Sequence, residues 1–197
     1  MSNGKLPVLS TQQVTSCSTS DNGCDGGDTT SAYSYMTSAG VESDPSYSYT
    51  SGTTGSTGAC QYNASNVVAH MSEWHYGVSA CNNSNCSSQA SLEPSLQQAI
   101  ATHGPASVCL NATPWQYYTG GVLASNCASD VSSMNHCVQL VGYGTSSSGS
   151  SGTSGSQYWI LRNQWGTSWG MNGFIQLQMG TNLCGVANEV TYVTPTN

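Results

Sequence analysis

Few side chains in this sequence can do chemistry, and the histidines come first because their charge changes near neutral pH. There are four. His70, His75 and His103 have no telling neighbours and read as structural or exposed, with His103 at a predicted helix C-terminus where a cation suits the dipole. His136 differs. It opens the stretch His136-Cys137-Val138-Gln139-Leu140-Val141, after Met134 and Asn135, so an apolar strand can hold its ring rigidly while the ring reaches solvent. A second stretch, Arg162-Asn163-Gln164-Trp165-Gly166-Thr167-Ser168-Trp169-Gly170, sets two tryptophans and two glycines around one asparagine. A buried Asn must find partners for its amide. Facing His136, Asn163 would fix the tautomer and tilt of the imidazole, and the indoles would keep water off that bond. A thiol, a His and an Asn make a nucleophile, a base and an orienter.

The elements that must carry these residues follow from local pattern. Leu92 to His103 reads as a helix, with apolar residues at Leu92, Leu96, Ala99 and Ile100, Ser91 as N-cap, Pro94 in the first turn and Gly104-Pro105 as terminator. Residues 29–39 predict a shorter helix and 44–58 a loop. Residues 106–110, 137–143, 158–163 and 174–179 predict strands, and the Gly/Ser/Thr run 144–156 a loop between two of them. The first half is Tyr/Gly-rich and partly helical, and the second is β-rich.

Composition excludes several classes. The 197 residues include two basic against nine acidic side chains, a formal charge of -7, and only 6% charged residues. No basic face exists to neutralise phosphates, so nucleic acid is not a partner. No apolar run approaches the roughly 20 residues of a membrane span. Nine cysteines are dense for this length, and without a CxxC pair they predict a disulfide framework rather than a metal site. The number is odd, so at least one cysteine lacks a partner within the chain. Asn-x-Ser/Thr sequons at Asn63, Asn82, Asn85 and Asn111 agree with a secretory route, although Met1-Ser-Asn-Gly-Lys5 is no signal peptide.

The order of motifs resembles the papain-like cysteine peptidases of the cathepsin type. Leu9-Ser10-Thr11-Gln12-Gln13-Val14 with Cys17, Gly23-Cys24-Asp25-Gly26-Gly27, Tyr47-Ser48-Tyr49 followed by Cys60, Gly104-Pro105, Tyr118-Thr119-Gly120-Gly121-Val122, Asn135-His136, Val141-Gly142-Tyr143-Gly144, Arg162–Gly170 and Cys184-Gly185-Val186-Ala187 follow in family order. The resemblance implies an α+β, two-lobed fold with the active site in a cleft between the lobes. Residues 1–88 would be the remainder of a helical, disulfide-rich lobe, and residues 89–197 a β-barrel-like lobe carrying His136 as base and general acid and Asn163 as its orienter. Trp165 would shield that pair, with Trp169 in the same aromatic cluster. Gly26 and Gly27 would offer backbone groups to an extended peptide. Cys109, Met134, Asn135, Cys137 and Glu189 would wall the pocket for the second substrate residue before the cut, with Glu189 letting it accept a basic side chain as well as an apolar one.

The sequence departs from the family in one respect. No CGSCW-type stretch occurs, and the expected spacing to His136 places the nucleophile roughly 15 residues ahead of Met1, with the oxyanion glutamine further upstream. The chain is thus expected to be a fragment of a thiol endopeptidase, inert alone; the alternative is a non-catalytic relative that binds through the retained cleft. Family pairing implies Cys17–Cys60 and Cys127–Cys184 bridges and an orphaned Cys24, whose family partner lies near the nucleophile. Spacing and position add Cys81–Cys86 and Cys109–Cys137. The expected partners are peptide or protein substrates, the absent upstream segment and cystatin-like inhibitors, with no cofactor and no metal. The expected setting is secreted, or a lysosomal or vacuolar lumen.

Overall fold

The computed structural model describes residues 6–81, 86–146 and 155–196. They divide into two compact units, residues 1–75 with 193–197, and residues 76–192. This differs from a division at residue 88, because residues 76–89 are tied to the far end of the chain: Gly77 N donates to Val190 O (2.8 Å), Cys81 N to Asn188 O (2.8 Å), and Gln89 Nε2 to Ala187 O (2.7 Å).

In the first unit, α1 (Thr11–Cys17) starts at Ser10, whose hydroxyl accepts from Gln13 N at 3.0 Å. α2 (Thr29–Ala39) starts at Asp28, which accepts from Thr30 N, and stops at Gly40. β1 (Val41–Glu42) follows, then α3 (Ser51–Thr54), a single turn inside the segment expected to be loop. β2 (Val67–Ala69) pairs antiparallel with β1, and β3 (Met71–Tyr76) closes the unit.

The interior of this unit is polar. Gln13 is fully buried; its Nε2 donates to Gly40 O (2.9 Å) and Tyr35 Oη (3.0 Å), and its Oε1 accepts from Glu42 N (2.7 Å). Gln12 Oε1 accepts from Thr50 N (2.7 Å) and Ser51 N (2.9 Å), while Nε2 donates to Ser51 Oγ (2.8 Å) and Thr57 O (3.1 Å). Two adjacent amides of one helix therefore tie it to α2 and its C-cap, to β1, to the start of α3 and to the loop at Thr57. Cys17–Cys60 bolts the same helix to the stretch between α3 and β2.

In the second unit, α4 (Glu93–His103) begins one residue later than its apolar spacing suggests. Ser91 does not cap it. Its hydroxyl donates to Ser88 O (2.7 Å) inside a 3₁₀ turn, Ser87–Leu92, that feeds the helix. The strands are β4 (Ala106–Leu110), β5 (Val122–Leu123), β6 (His136–Thr145), β7 (Gln157–Arg162), β8 (Phe174–Gln178) and β9 (Glu189–Pro195). They order as β9-β4-β6-β7-β8-β5, antiparallel except for β5 beside β8. β6 absorbs the first residues of the expected 144–156 loop, and residues 147–154 of that loop lie outside the described part.

Alternate strand residues face one core: Val108, Leu110, Val138, Leu140, Trp159, Leu161, Ile175, Leu177 and Val190, with Leu96 and Ile100 of α4. A carboxylate lies among them. Glu93, 1% exposed, accepts from Trp159 Nε1 (2.7 Å), Gly180 N (2.9 Å) and Asn182 N (2.6 Å). Its position in the first turn of α4 lets the helix dipole stabilise the charge as well.

Candidate active site

His136 opens β6, and Asn163 is the first residue after β7, the strand paired with β6. Asn163 N donates to Gly173 O at 2.9 Å, which pins the turn. The two side chains meet, with His136 Nε2 2.9 Å from Asn163 Oδ1. The direction of this bond follows from a neighbour. The same Oδ1 is 2.9 Å from Gln164 N. A backbone N–H only donates, so the Asn atom there is the oxygen, and His136 Nε2 must carry the proton. In the neutral ring Nδ1 is then the basic nitrogen.

Aromatic rings hold the imidazole in place. Trp165 stacks on His136 with centroids 5.2 Å apart and planes 26° apart. Trp115 meets its edge at 6.4 Å, and Trp169 stacks on Trp115 at 6.1 Å. Trp169 Nε1 donates to Trp115 O at 3.1 Å. Trp165 remains 40% exposed, so it covers one ring face and offers its other side to solvent. Gly170 makes the loop possible: its φ is +55°, and a Cβ there would meet Phe174 O at 2.7 Å. Tyr118, against Trp169, donates to Gly121 O (2.6 Å) and accepts from Gln176 N (3.2 Å). Burial pushes its phenol above the ordinary value, opposed by the Gln176 bond.

Both flanks of His136 are fixed. On one side, Asn135 Oδ1 accepts from Ala112 N (2.9 Å) and Asn135 Nδ2 donates to Thr113 Oγ1 (2.8 Å). On the other, Cys137 is bridged to Cys109, its register partner on β4, with Cα atoms 4.0 Å apart. Gln164 Nε2 also donates to Cys137 O at 3.1 Å. Glu189 of β9 is the partner of Cys109 on the opposite edge of β4, so the bridge and this half-buried carboxylate share one row across three strands. Met134 Sδ accepts from the buried Asn188 Nδ2 at 3.6 Å.

Cys81–Cys86 and Cys127–Cys184 are bridged as well, and Cys24 is free and exposed. Gly26 and Gly27 lie in the first unit. Gly26 has φ +109° with open space where a Cβ would be; a Cβ on Gly27 would meet Asp21 Oδ1 at 2.5 Å. Asn111 is 6% exposed, with its amide bonded to Ala128 O and Thr113 N, so the fold closes that sequon to glycosylation. Asn63 is exposed, and Asn82 and Asn85 lie outside the described residues. Among the described residues no group of His, Cys, Asp and Glu could hold a metal ion. No described helix is long and apolar enough to cross a membrane.

Sequence reasoning misses Trp115, Gln164 and Glu93. Trp115 alone carried a signal, as a large aromatic following a proline just beyond a predicted strand.

Residues 1–194 match the papain family cysteine proteases. The chain belongs to this family. It is 33% identical over 190 residues to cathepsin O of Homo sapiens, covering 95% of this chain and 52% of that protein. It is 34% identical over 207 residues to cysteine proteinase 1 of Zea mays, covering 98% and 51%. The digestive procathepsin L 3 of Tenebrio molitor larval midgut superposes with a TM-score of 0.80 at 33% identity, covering 98% of this chain and 57% of that one. The bromelain protease of Ananas comosus gives 0.78 at 30% identity, covering 98% and 80%. The fold is thus α+β and papain-like. The chain spans about half the length of the curated relatives it matches.

Proposed function

We propose that this chain is the base-bearing part of a papain-like cysteine endopeptidase, which hydrolyses peptide bonds by thiol acyl transfer. The observation that carries the reading is the His136 Nε2–Asn163 Oδ1 bond of 2.9 Å under the Trp165 ring. It leaves Nδ1 to meet a thiol and take its proton. The resulting thiolate attacks the substrate carbonyl, and the imidazolium returns the proton to the leaving amine. Water then enters on His136 as general base, and the thioester is hydrolysed.

The thiol comes from outside these 197 residues. Eight of the nine cysteines are bridged, and bridged sulfur is not a nucleophile. Cys24 belongs to the Gly23–Gly27 loop that presents backbone to the peptide. The Cys109–Cys137 bridge, Met134, Asn135 and Glu189 wall the pocket for the second residue before the cut. The upstream segment, peptide substrates and cystatin-like inhibitors are the partners. The four disulfides support an oxidising setting, secreted or lysosomal.

The test compares the chain alone with the chain extended by a segment carrying a Gln and a CGxCW-type stretch, both assayed on peptide amides. Only the extended form should cleave. Cleavage by the chain alone that is lost in Cys24→Ser would name Cys24 as the nucleophile and overturn the assignment.

A further inference from the structure

Arg162 is one of two basic residues in the sequence, and the other, Lys5, lies outside the described part. It ends β7, where register sets it between Gln139 of β6 and Phe174 of β8. Side chains at such positions rise from one sheet face about 5 Å apart. The neighbouring Leu161 points to the core, so Arg162 stands on the outward face, exposed. There it borders a pocket of about 710 Å³. Gln139, Gln164, Thr167 and Asn172 line the same pocket, and no carboxylate does. Among the described residues no Asp or Glu pairs with Arg162, while one exposed pair, His75–Glu73, forms elsewhere.

A guanidinium with no carboxylate partner among the described residues, ringed by amides and a hydroxyl, on a molecule of net charge -7, is a local reversal of sign. Its planar fork fits a carboxylate through two parallel hydrogen bonds. Amides of Gln139 and Asn172 can satisfy remaining lone pairs. The rest of the surface repels the same ligand, so position as well as charge is selected. The pocket also touches the residue that orients the base. Asn163 lines it, is 7% exposed, and has no acceptor for its Nδ2 among the described residues.

We propose that this pocket is an exosite for acidic peptides, in which Arg162 takes a carboxylate. The carboxylate is an Asp or Glu side chain or a chain end. Binding needs no nucleophile, so it stands or falls independently of the proposed peptidase activity.

The experiment titrates the full chain with three pentapeptides and follows backbone amide shifts at Gln139, Gln164 and Thr167. The probes are Ala-Ala-Glu-Ala-Ala blocked at both ends, its blocked Gln counterpart, and pentaalanine blocked only at its amine. The Glu peptide or the free chain end should bind and move these amides, and the Gln peptide should not. Arg162→Gln should weaken binding about fivefold, the scale of an exposed ion pair, and Arg162→Lys should weaken it less. Affinity should fall between about 0.1 and 1 M salt, as the screening length shortens from about 10 to 3 Å. Equal binding of all three peptides to the unmutated chain, or binding of none of them, overturns the proposal. So does unchanged affinity in an Arg162→Gln protein whose near-ultraviolet dichroism matches the parent.

Discussion

Asn163 Oδ1 receives two hydrogen bonds of equal length, 2.9 Å from Gln164 N and 2.9 Å from His136 Nε2. The backbone bond fixes the oxygen, and the oxygen fixes the imidazole. Rotation of the ring is thereby referred to the main chain of the turn after β7. In the extended enzyme Asn163→Ala should lower kcat/KM by roughly 100-fold, the scale of a 1 Å misplacement, with KM changed less than kcat. Nitrogen shifts of the His136 ring in the chain alone should show mixed tautomers in the variant and one tautomer in the parent.

Removal of the Cys109–Cys137 bridge should destabilise the second unit. The cysteines are 28 residues apart, and closing such a loop is worth about 3–4 kcal/mol in the chain-entropy account. Urea unfolding of Cys109→Ala/Cys137→Ala, followed by tryptophan fluorescence, should show a midpoint lower by an amount consistent with that loss. The pair also flanks His136, so the variant's imidazole resonance should broaden well below the unfolding midpoint.

Glu93→Ala leaves the buried Trp159 indole N–H and Asn182 N–H without their acceptor, and the Gly180 N–H at the surface as well. The expected loss is about 3–5 kcal/mol, and Glu93→Gln should lose less because one acceptor oxygen remains. Thermal unfolding of both variants checks the order.

Asp130 sets up the turn Val131–Ser133 just before Met134. The Ser132 and then the Ser133 hydroxyl donate to its carboxylate and hold it below the ordinary value of 3.8. A depressed acid stabilises the folded turn above pH 3.8 and gives that contribution up as pH falls through the lower folded value. Protection of the Ser133 and Met134 amides, taken relative to the intrinsic exchange rate at each pH, should therefore fall on acidification across that window. In Asp130→Ala that protection should be low on both sides of it.

Glu189 shares a row with the Cys109–Cys137 bridge. In the extended enzyme, paired substrates carrying Arg or Leu two residues before the cut should give an Arg/Leu ratio of kcat/KM that drops roughly tenfold in Glu189→Ala, the value of a charge-assisted pair. An unchanged ratio removes Glu189 from specificity.

His136 and Asn163 were legible because a lone histidine at a strand start and an asparagine between tryptophans are rare local signals. The strands were legible because their core residues alternate. Ser91 misleads as a cap, since a hydroxyl before an apolar helix pattern serves equally inside a 3₁₀ turn. Glu93 looks like any first-turn acid, and its burial depends on Gly180 and Asn182, nearly ninety residues away. Gln is a type mostly found exposed; Gln12 and Gln13 are interior because of the segments that converge on α1. The unit boundary depends on long-range bonds such as Cys81 N to Asn188 O, which no local pattern announces.

The amide-stitched interior around Gln12 and Gln13 changes how the first unit responds to temperature. Exposing apolar surface raises heat capacity on unfolding, and exposing polar surface lowers it. Among the described residues, the buried apolar side chains of residues 6–75 are Cys17 and Val41, beside buried Ser10, Gln12, Gln13, Ser18, Glu42 and Ser51. Opening this unit therefore carries a small heat-capacity increment, and its free energy varies nearly linearly with temperature. The second unit, with its aliphatic and indole core, follows a curved dome. Below the second unit's temperature of maximum stability, further cooling should weaken its protection while the first unit's goes on rising along its line.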